Sequence, residues 1–244
     1  RTPTYLTLSP MTSPGAIYQP FELDVETDGT FENPFDPEQV DLQVEFTGSD
    51  QKILTAPAFW YQDFDPQTGD PIGKPGFRVR FTPPQAGNWT ATAVLTRLGL
   101  RSESFSFDVQ PDPEAKGLVQ IHPDNPRYFA FEDGATFFPV GINIGWGGEN
   151  PIQDYTRWLD GLSAQDGNII RVWMASWSFG IEWNDTPLGD YTHRLYRAWM
   201  LDQVFKLAEE RGIYIELVIL NHGAFSAQVN PEWQDNPYNV ANGG

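Results

Sequence analysis

The chain has 244 residues, no cysteine, and a formal net charge of -18 at pH 7 that arises from 33 acidic and 15 basic residues. The absence of cysteine excludes disulfides and thiolate metal sites, and so acidic a surface disfavours nucleic acid and anionic lipid as partners. No run of about 18 apolar residues occurs, which argues against a membrane span. Neutral partners such as sugars remain compatible with this charge, although solubility alone is the commoner explanation.

Apolar and polar residues alternate repeatedly between residues 15 and 110. A period of two places one face of a strand in the core and the other in water. Short strands of this kind, separated by turns rich in proline, glycine and aspartate, are typical of an antiparallel β-sandwich. The apolar members of the alternating segments are Phe21, Leu23 and Val25; Leu42, Val44 and Phe46; Phe77, Val79 and Phe81; Trp89, Ala91, Ala93 and Leu95; and Phe105, Phe107 and Val109.

A stretch rich in proline and acidic residues, residues 110–117, has the composition of a linker. We therefore predict two domains, residues 1–112 and residues 113–244. After the linker, two apolar segments flank Glu132-Asp-Gly134, which predicts a β-hairpin. We expect the second strand of this hairpin to continue as far as Trp146.

Strands and helices alternate in the second half of the chain. Asn150 is suited to cap a helix that has Pro151 at its first position. The runs 168–174 and 213–220 are almost entirely apolar, as expected for strands buried on both faces, and an amphipathic helix is predicted between them. This order predicts right-handed βαβ units on a parallel sheet.

Several segments resemble known families. In the first half, the segments FENPFDP (31–37), PAFWYQ (57–62) and FRVRFTP (77–83) resemble the immunoglobulin-like domain of the DUF5060 type that precedes glycoside hydrolase barrels. In the second half, HPDNPRY (122–128), GNIIRVW (167–173), VILNHG (218–223) and DNPYN (235–239) resemble cellulase-like glycosidases of family 5 and clan A. The resemblance implies a multidomain fold in which an all-β immunoglobulin-like sandwich is followed by an α/β domain, a partial TIM (β/α)8 barrel.

A barrel of this kind has eight strands in about 250 residues, whereas residues 118–244 supply three. By resemblance, the acid/base glutamate and the nucleophile glutamate lie beyond Gly244. We therefore expect an N-terminal piece that is inactive alone and lacks the C-terminal part of its barrel, and we expect a segment before Arg1 to have been removed. The resemblance also implies a secreted, extracellular or periplasmic location, and neither cofactor nor metal.

Active sites of such barrels lie at the C-terminal ends of the strands. By resemblance, Arg171 orients the nucleophile, for which a bidentate guanidinium is suited, and His222 contacts sugar hydroxyls. The alternatives are that Arg171 is a salt-bridge partner within the sheet and that His222 anchors its loop. Packing is as frequent a role for a loop tryptophan as stacking on a sugar. With that alternative open, the predicted substrate-binding residues are Asn143, Trp146, Trp173, Trp177, Asn221 and Trp233.

Three acidic features need separate interpretation. Glu182 follows the second strand of the parallel sheet, and we expect a surface or loop-anchoring role rather than catalysis. Glu216 lies within a strand, where a charge that points into a barrel needs a partner. The segment from Asp63 to Asp70 looks like a calcium loop but lacks the glutamate and the spacing of that motif, which predicts an ordinary acidic turn.

Two functions fit these observations. The first is a glycoside hydrolase that acts on a β-linked polysaccharide or oligosaccharide by retaining double displacement, with Arg171 and His222 in supporting roles. The second is a non-catalytic carbohydrate-binding or structural module. The sequence after Gly244 would discriminate between them, because strands that end in Asn-Glu and later in a lone glutamate favour the enzyme.

Overall fold

The computed structural model describes residues 1–244. Its contacts divide the chain into two compact units: residues 1–61 together with 74–138, and residues 62–73 together with 139–244. Both α-helices belong to the second unit. The predicted boundary at residue 112 stays a prediction about independently folding domains.

Two sheets form most of the first unit. The first has the order β1-β2-β6-β5 and contains β1 (Leu6–Pro10), β2 (Phe21–Thr27), β5 (Phe59–Phe64) and β6 (Pro71–Phe81). The second has the order β4-β3-β7-β8, with β9 also paired to β7, and contains β3 (Leu42–Thr47), β4 (Ile53–Pro57), β7 (Gly87–Leu95), β8 (Leu100–Arg101) and β9 (Phe105–Val109). Strands β1, β2 and β6 pair antiparallel, as do β3, β4, β7, β8 and β9.

The predicted alternation is confirmed by the burial of these strands. In β2, for example, Phe21, Leu23 and Val25 are buried and their neighbours are not. Buried side chains of both sheets form one hydrophobic core. Within it, Phe46 of β3 stacks on Phe81 of β6 with ring centroids 3.9 Å apart. The two sheets therefore face each other as the predicted antiparallel sandwich.

A small antiparallel sheet completes the first unit. It consists of β10 (Val119–Ile121), β11 (Phe129–Phe131) and β12 (Thr136–Phe137), in that order. The hairpin between β11 and β12 is the predicted one, and Gly134 adopts the positive φ of 89° that its turn requires. The expectation that its second strand continues to Trp146 is wrong, because β12 ends at Phe137 and Pro139 lacks the N–H that a ladder would need.

The parallel sheet of the second unit contains β13 (Gly141–Asn143), β14 (Ile169–Trp173) and β15 (Tyr214–Val218), connected through α1 (Pro151–Ser163) and α2 (Leu195–Glu209). Adjacent strands pair in parallel, as predicted. The predicted cap is also present, since Asn150 Oδ1 accepts a hydrogen bond of 3.1 Å from the backbone N–H of Gln153. No helix of the structure has the length and apolar character that a membrane crossing requires.

One face of this sheet packs on both helices. Ile170 and Val172 of β14 are buried together with Tyr155 and Leu159 of α1 and with Val204 of α2. The polar faces of the helices remain in water, which is the arrangement that their amphipathic patterns predict. The opposite face of the sheet is therefore the one on which polar side chains can meet.

The predicted α/β class with a partial TIM barrel is wrong. The chain is mostly β-sheet, with four separate sheets and only two α-helices. The three parallel strands form an open sheet in which β13 and β15 are both edges. Closing a barrel requires about eight tilted strands, so that the first pairs with the last. An alternation of strands and helices predicts local βα units, but it does not determine whether the sheet closes.

Candidate functional site

The open face of the parallel sheet carries one row of polar side chains. The strand register places Asn143, Arg171 and Glu216 side by side on β13, β14 and β15. Side chains alternate along a strand, so Arg171 and Trp173 lie on the face opposite the buried residues of β14. Trp173 is the last residue of β14. The row runs across the strands, and on the same face of β14 Trp173 lies two residues nearer to the carboxyl edge, where the predicted site residues are expected.

Arg171 forms an ion pair with Glu216 of the neighbouring strand. Arg171 Nε lies 3.2 Å from Glu216 Oε1, and the two side chains are 49% and 60% exposed. The salt-bridge alternative for Arg171 is thus present, and Glu216 has the partner that its charge was expected to need. Arg171 lies in the middle of β14 rather than at its end. Its role in orienting a catalytic carboxylate stays a prediction.

Breaking this ion pair should cost little stability, because exposed pairs contribute about 0.2–1 kcal/mol. We expect the double-mutant cycle of Arg171→Gln and Glu216→Gln to give a coupling free energy below about 1 kcal/mol in chemical denaturation. A coupling above about 2 kcal/mol would contradict this expectation and would mean that the pair is shielded from water.

Four rings meet at the carboxyl edge of the sheet. Trp146, which follows β13, has its ring centroid 5.5 Å from that of Trp173 and 5.4 Å from that of Trp177, and it meets Trp177 at 89°. His222, which follows β15, lies edge-on to Trp173 at 5.9 Å. Trp146 and Trp177 are 45% and 48% exposed. The structure therefore brings together four of the predicted site residues, which we name the aromatic cluster.

Trp173 is the inner member of the aromatic cluster. Its ring lies so close to the chain after β13 that a Cβ on Gly145 would be 3.3 Å from the indole. Its Nε1 is buried and has no hydrogen-bond partner. A buried donor without a partner costs about 1–3 kcal/mol, so the cluster contains an N–H group that the protein itself does not use.

The loop after β15 is held by its own side chains. Asn221 is buried, and its Nδ2 lies 3.4 Å from Glu232 Oε2. Asn230 Nδ2 lies 3.0 Å from His222 Nε2. His222 therefore contacts its own loop, as the anchoring alternative predicted, and it also belongs to the aromatic cluster. Trp233 packs against a phenylalanine of the same loop at 5.8 Å. The contacts of Asn221 and Trp233 are therefore within this loop rather than with the aromatic cluster.

Glu182 anchors the loop 174–190, which is one of the two non-catalytic roles predicted for it. Its Oε1 accepts a hydrogen bond of 2.5 Å from the backbone N–H of Gly189, and its Oε2 accepts one from the Tyr238 hydroxyl. Burial, with a further contribution from the Glu182 carboxylate, raises the pKa of Tyr238 well above its usual range. The phenol consequently stays protonated and remains a donor to Glu182.

The sequence analysis missed a buried arginine beside the aromatic cluster. Arg194, directly before α2, is only 4% exposed. It donates to carbonyl groups on both sides of Trp177 and to Asp185. The hydrogen bond from Arg194 lowers the pKa of the Asp185 carboxyl. No sequence pattern indicates this arrangement, because half of the partners are backbone atoms.

The acidic segment at the tip of the β5–β6 hairpin is an ordinary turn, as predicted. Asp65 Oδ1 accepts hydrogen bonds from the backbone N–H groups of Gln67 at 2.7 Å and Thr68 at 3.0 Å. These bonds lower the pKa of Asp65. No group of three or more histidine, aspartate or glutamate side chains is arranged to hold a metal ion.

Comparison with known proteins finds one family model that matches part of the chain. Residues 16–95 match the family model DUF5060, a domain of unknown function. The predicted DUF5060-type domain is thereby confirmed for those residues. The comparison with curated proteins gives no match.

The chain is also similar to solved structures. With a "putative glycoside hydrolase" from Bacteroides vulgatus ATCC 8482 it has 19% sequence identity and a TM-score of 0.61, over 90% of this chain and 45% of that one. With chitinase ChiW, a bacterial cell-surface-expressed multi-modular enzyme from Paenibacillus sp. str. FPU-7, it has 12% identity and a TM-score of 0.26, over 89% of this chain and 20% of that one. The chain therefore spans less than half the length of either protein, and it shares its fold with the Bacteroides protein.

Proposed function

We propose that this chain is the glycan-binding part of a glycoside hydrolase, and that the aromatic cluster binds a β-linked polysaccharide or oligosaccharide. The observation that carries the proposal is the pair of tryptophan rings, each about half exposed, that meet at a right angle at the carboxyl edge of the sheet. Flat aromatic rings stack on the apolar C–H faces of sugars while the hydroxyls keep their hydrogen bonds. The description of the Bacteroides protein as a glycoside hydrolase agrees with this proposal.

The polar groups of the same edge fit the hydroxyls of a sugar. Asn143 ends β13, and His222 lies against the Trp173 ring. A binding site for a small polar molecule combines an apolar surface with a few hydrogen-bonding groups that fix orientation. The net charge of -18 does not repel a neutral glycan. A polysaccharide substrate is encountered outside the cell, so we include a secreted or periplasmic location in the proposal.

Hydrolysis with retention needs two carboxyl groups about 5–5.5 Å apart across the glycosidic bond. Glu182 is engaged by Gly189 and Tyr238, and Glu216 by Arg171. We therefore propose that residues 1–244 bind the glycan without cleaving it, and that cleavage in a longer protein uses other carboxylates. The second candidate, a non-catalytic carbohydrate-binding module, rests on the same aromatic cluster and predicts binding without cleavage in a protein of any length.

Replacing Trp177 by alanine should lower glycan affinity about tenfold, because an aromatic anchor of a binding site commonly contributes more than about 1 kcal/mol. Calorimetric titration of the 244-residue chain with cello-, manno- and xylo-oligosaccharides measures this effect. The same mixtures should release no new reducing ends.

Phe205→Ala is the matched control, because Phe205 is 40% exposed on α2 and takes no part in the aromatic cluster. Its affinity should equal that of the wild type. Failure of the wild-type chain to bind any of these oligosaccharides, or an equal affinity in Trp177→Ala, would overturn the proposed function.

A further inference from the structure

We infer that Arg194 is a positioning residue for the glycan site: it holds the loop 174–190 so that the Trp177 ring stays at a right angle to Trp146. The inference rests on the proposed function as far as the glycan is concerned. The positioning itself is a separate statement about two rings and one guanidinium group, and it can be tested without a ligand.

Arg194 forms hydrogen bonds to residues on both sides of Trp177 in the sequence. Its Nη1 donates to the carbonyl oxygen of Ser176 at 3.1 Å and to that of Gly180 at 2.8 Å. Its Nε donates to Asp185 Oδ2 at 3.2 Å, and its Nη2 donates to Asp185 Oδ1. A guanidinium that is only 4% exposed must have its donors matched, because burial removes the water that would otherwise satisfy them.

A second arginine donates a hydrogen bond to the same Ser176 carbonyl oxygen. Arg197, in the first turn of α2, also donates to the Ser176 oxygen. Burial, and then the nearby charge of Arg194, lowers the pKa of Arg197. Two guanidinium groups of like charge are therefore brought together at one peptide oxygen, directly before Trp177. Such an arrangement is unfavourable for the cations themselves unless the carbonyl and Asp185 compensate it.

The backbone around Trp177 is a tight turn that has little freedom. The N–H groups of Ser178 and Gly180 both donate to the Ala175 oxygen, at 2.9 and 3.0 Å. A Cβ on Gly180 would lie 2.8 Å from that oxygen, so only glycine fits there without displacement. Arg194 binds two carbonyl oxygens of this turn, those of Ser176 and Gly180. It consequently fixes the direction in which the Trp177 side chain leaves the backbone.

The consequence for binding follows from the exposure of Trp177. About half of its surface faces water, and its ring lies edge-on to that of Trp146. A half-exposed ring on an unrestrained loop would lose conformational entropy when a sugar binds. A ring whose backbone is already fixed loses less, which is the role of a supporting shell around a binding site.

The test uses Arg194→Lys in the 244-residue chain. Lysine keeps the positive charge but cannot reach two carbonyls and both oxygens of Asp185 at once. The first measurement is the exciton-coupled circular dichroism of the tryptophan pair, identified as the signal that Trp177→Phe removes. The second is calorimetric titration with cello-, manno- and xylo-oligosaccharides. We expect Arg194→Lys to lose most of the Trp177-dependent signal and about tenfold in affinity.

Arg211→Lys is the matched control. Arg211 is also mostly buried and also donates both to a carboxylate, Asp160 at 2.7 Å, and to a carbonyl, Leu207 at 2.8 Å, but at the far end of α2. It should retain the tryptophan signal and the affinity of the wild type. If Arg211→Lys reduces both as strongly as Arg194→Lys does, the effect is general destabilisation and the inference is overturned.

The remaining outcomes are equally decisive. A native signal and a native affinity in Arg194→Lys overturn the inference. If Arg194→Lys does not fold, Asp185→Asn decides. It removes the carboxylate that holds Nε and Nη2 and thereby orients the guanidinium toward both carbonyls, so a partial loss of the signal supports the inference and an unchanged signal overturns it. If the wild type binds no oligosaccharide, the proposed function fails, and the circular dichroism still decides whether Arg194 positions Trp177.

Discussion

Replacing Phe46 by alanine is expected to lower the free energy of unfolding of the sandwich by about 3–5 kcal/mol. The ring is fully buried. It stacks on Phe81 of the other sheet, with ring centroids 3.9 Å apart and planes at 5°, and meets Phe107 edge-on at 6.4 Å. Alanine would leave a cavity between the two sheets that a close-packed core cannot readily collapse to fill.

Hydrogen exchange followed by mass spectrometry measures this effect segment by segment in the intact chain. Protection should fall in the strands of the sandwich and stay near its wild-type value in α1 and β14, which belong to the other unit. Phe129→Ala is the matched control, because Phe129 lies in the same unit but is 45% exposed. A loss below about 1 kcal/mol for Phe46→Ala would contradict the packing described between the sheets.

The sandwich was predictable wherever one face of a strand is buried. Phe21, Leu23 and Val25 alternate with acidic residues, and this alternation is the physical signature of a half-buried strand. Strand β4 was not predicted, because none of its residues is fully buried and only Leu54 and Ala56 pack partly against the core. Strand β5 begins with three aromatic residues in succession, Phe59 to Tyr61, so no period of two is visible there.

The error about the barrel has a different origin. The runs of apolar residues predicted three strands and two helices, and the parallel pairing of those strands is present. Closure of a sheet depends on the number and tilt of all its strands. No local pattern carries that information, so the extension from three βα units to a barrel came from resemblance alone.

The candidate site was predictable only in part, because the sequence indicates strand ends but not contacts with backbone atoms. Polar and aromatic residues at the ends of parallel strands converge at one edge of the sheet, and this rule selects Trp146, Trp173 and His222 from the sequence alone. Arg194 could not be found in this way. It binds two backbone carbonyl groups. Every residue has such a group, so no residue type in the sequence marks these partners.

A final prediction concerns Tyr155, a buried residue of α1 that contacts the chain directly after β13. Its side chain is fully buried and packs against Trp158 and Phe179. Its hydroxyl donates a hydrogen bond of 2.7 Å to the carbonyl oxygen of Ile144. We expect Tyr155→Ala to lower the free energy of unfolding of this unit by about 3–5 kcal/mol, since it creates a cavity. Tyr155→Phe should cost about 1–3 kcal/mol, because it leaves the Ile144 carbonyl without its donor.

The same hydroxyl makes the stability of the unit depend on pH in a defined direction. Burial raises the pKa of Tyr155 well above its ordinary value, which is about 10. Above about pH 10 the unfolded chain releases the phenolic proton, whereas the folded chain retains it. The contribution of Tyr155 to stability is therefore complete below about pH 10 and is lost as the pH rises through the higher pKa of the folded chain. Denaturation at about pH 8 and about pH 11 should therefore show a smaller alkaline loss for Tyr155→Phe than for the wild type. An equal alkaline loss in both proteins would mean that Tyr155 ionises as readily in the folded chain as in the unfolded one, which would contradict the raised pKa that its burial predicts.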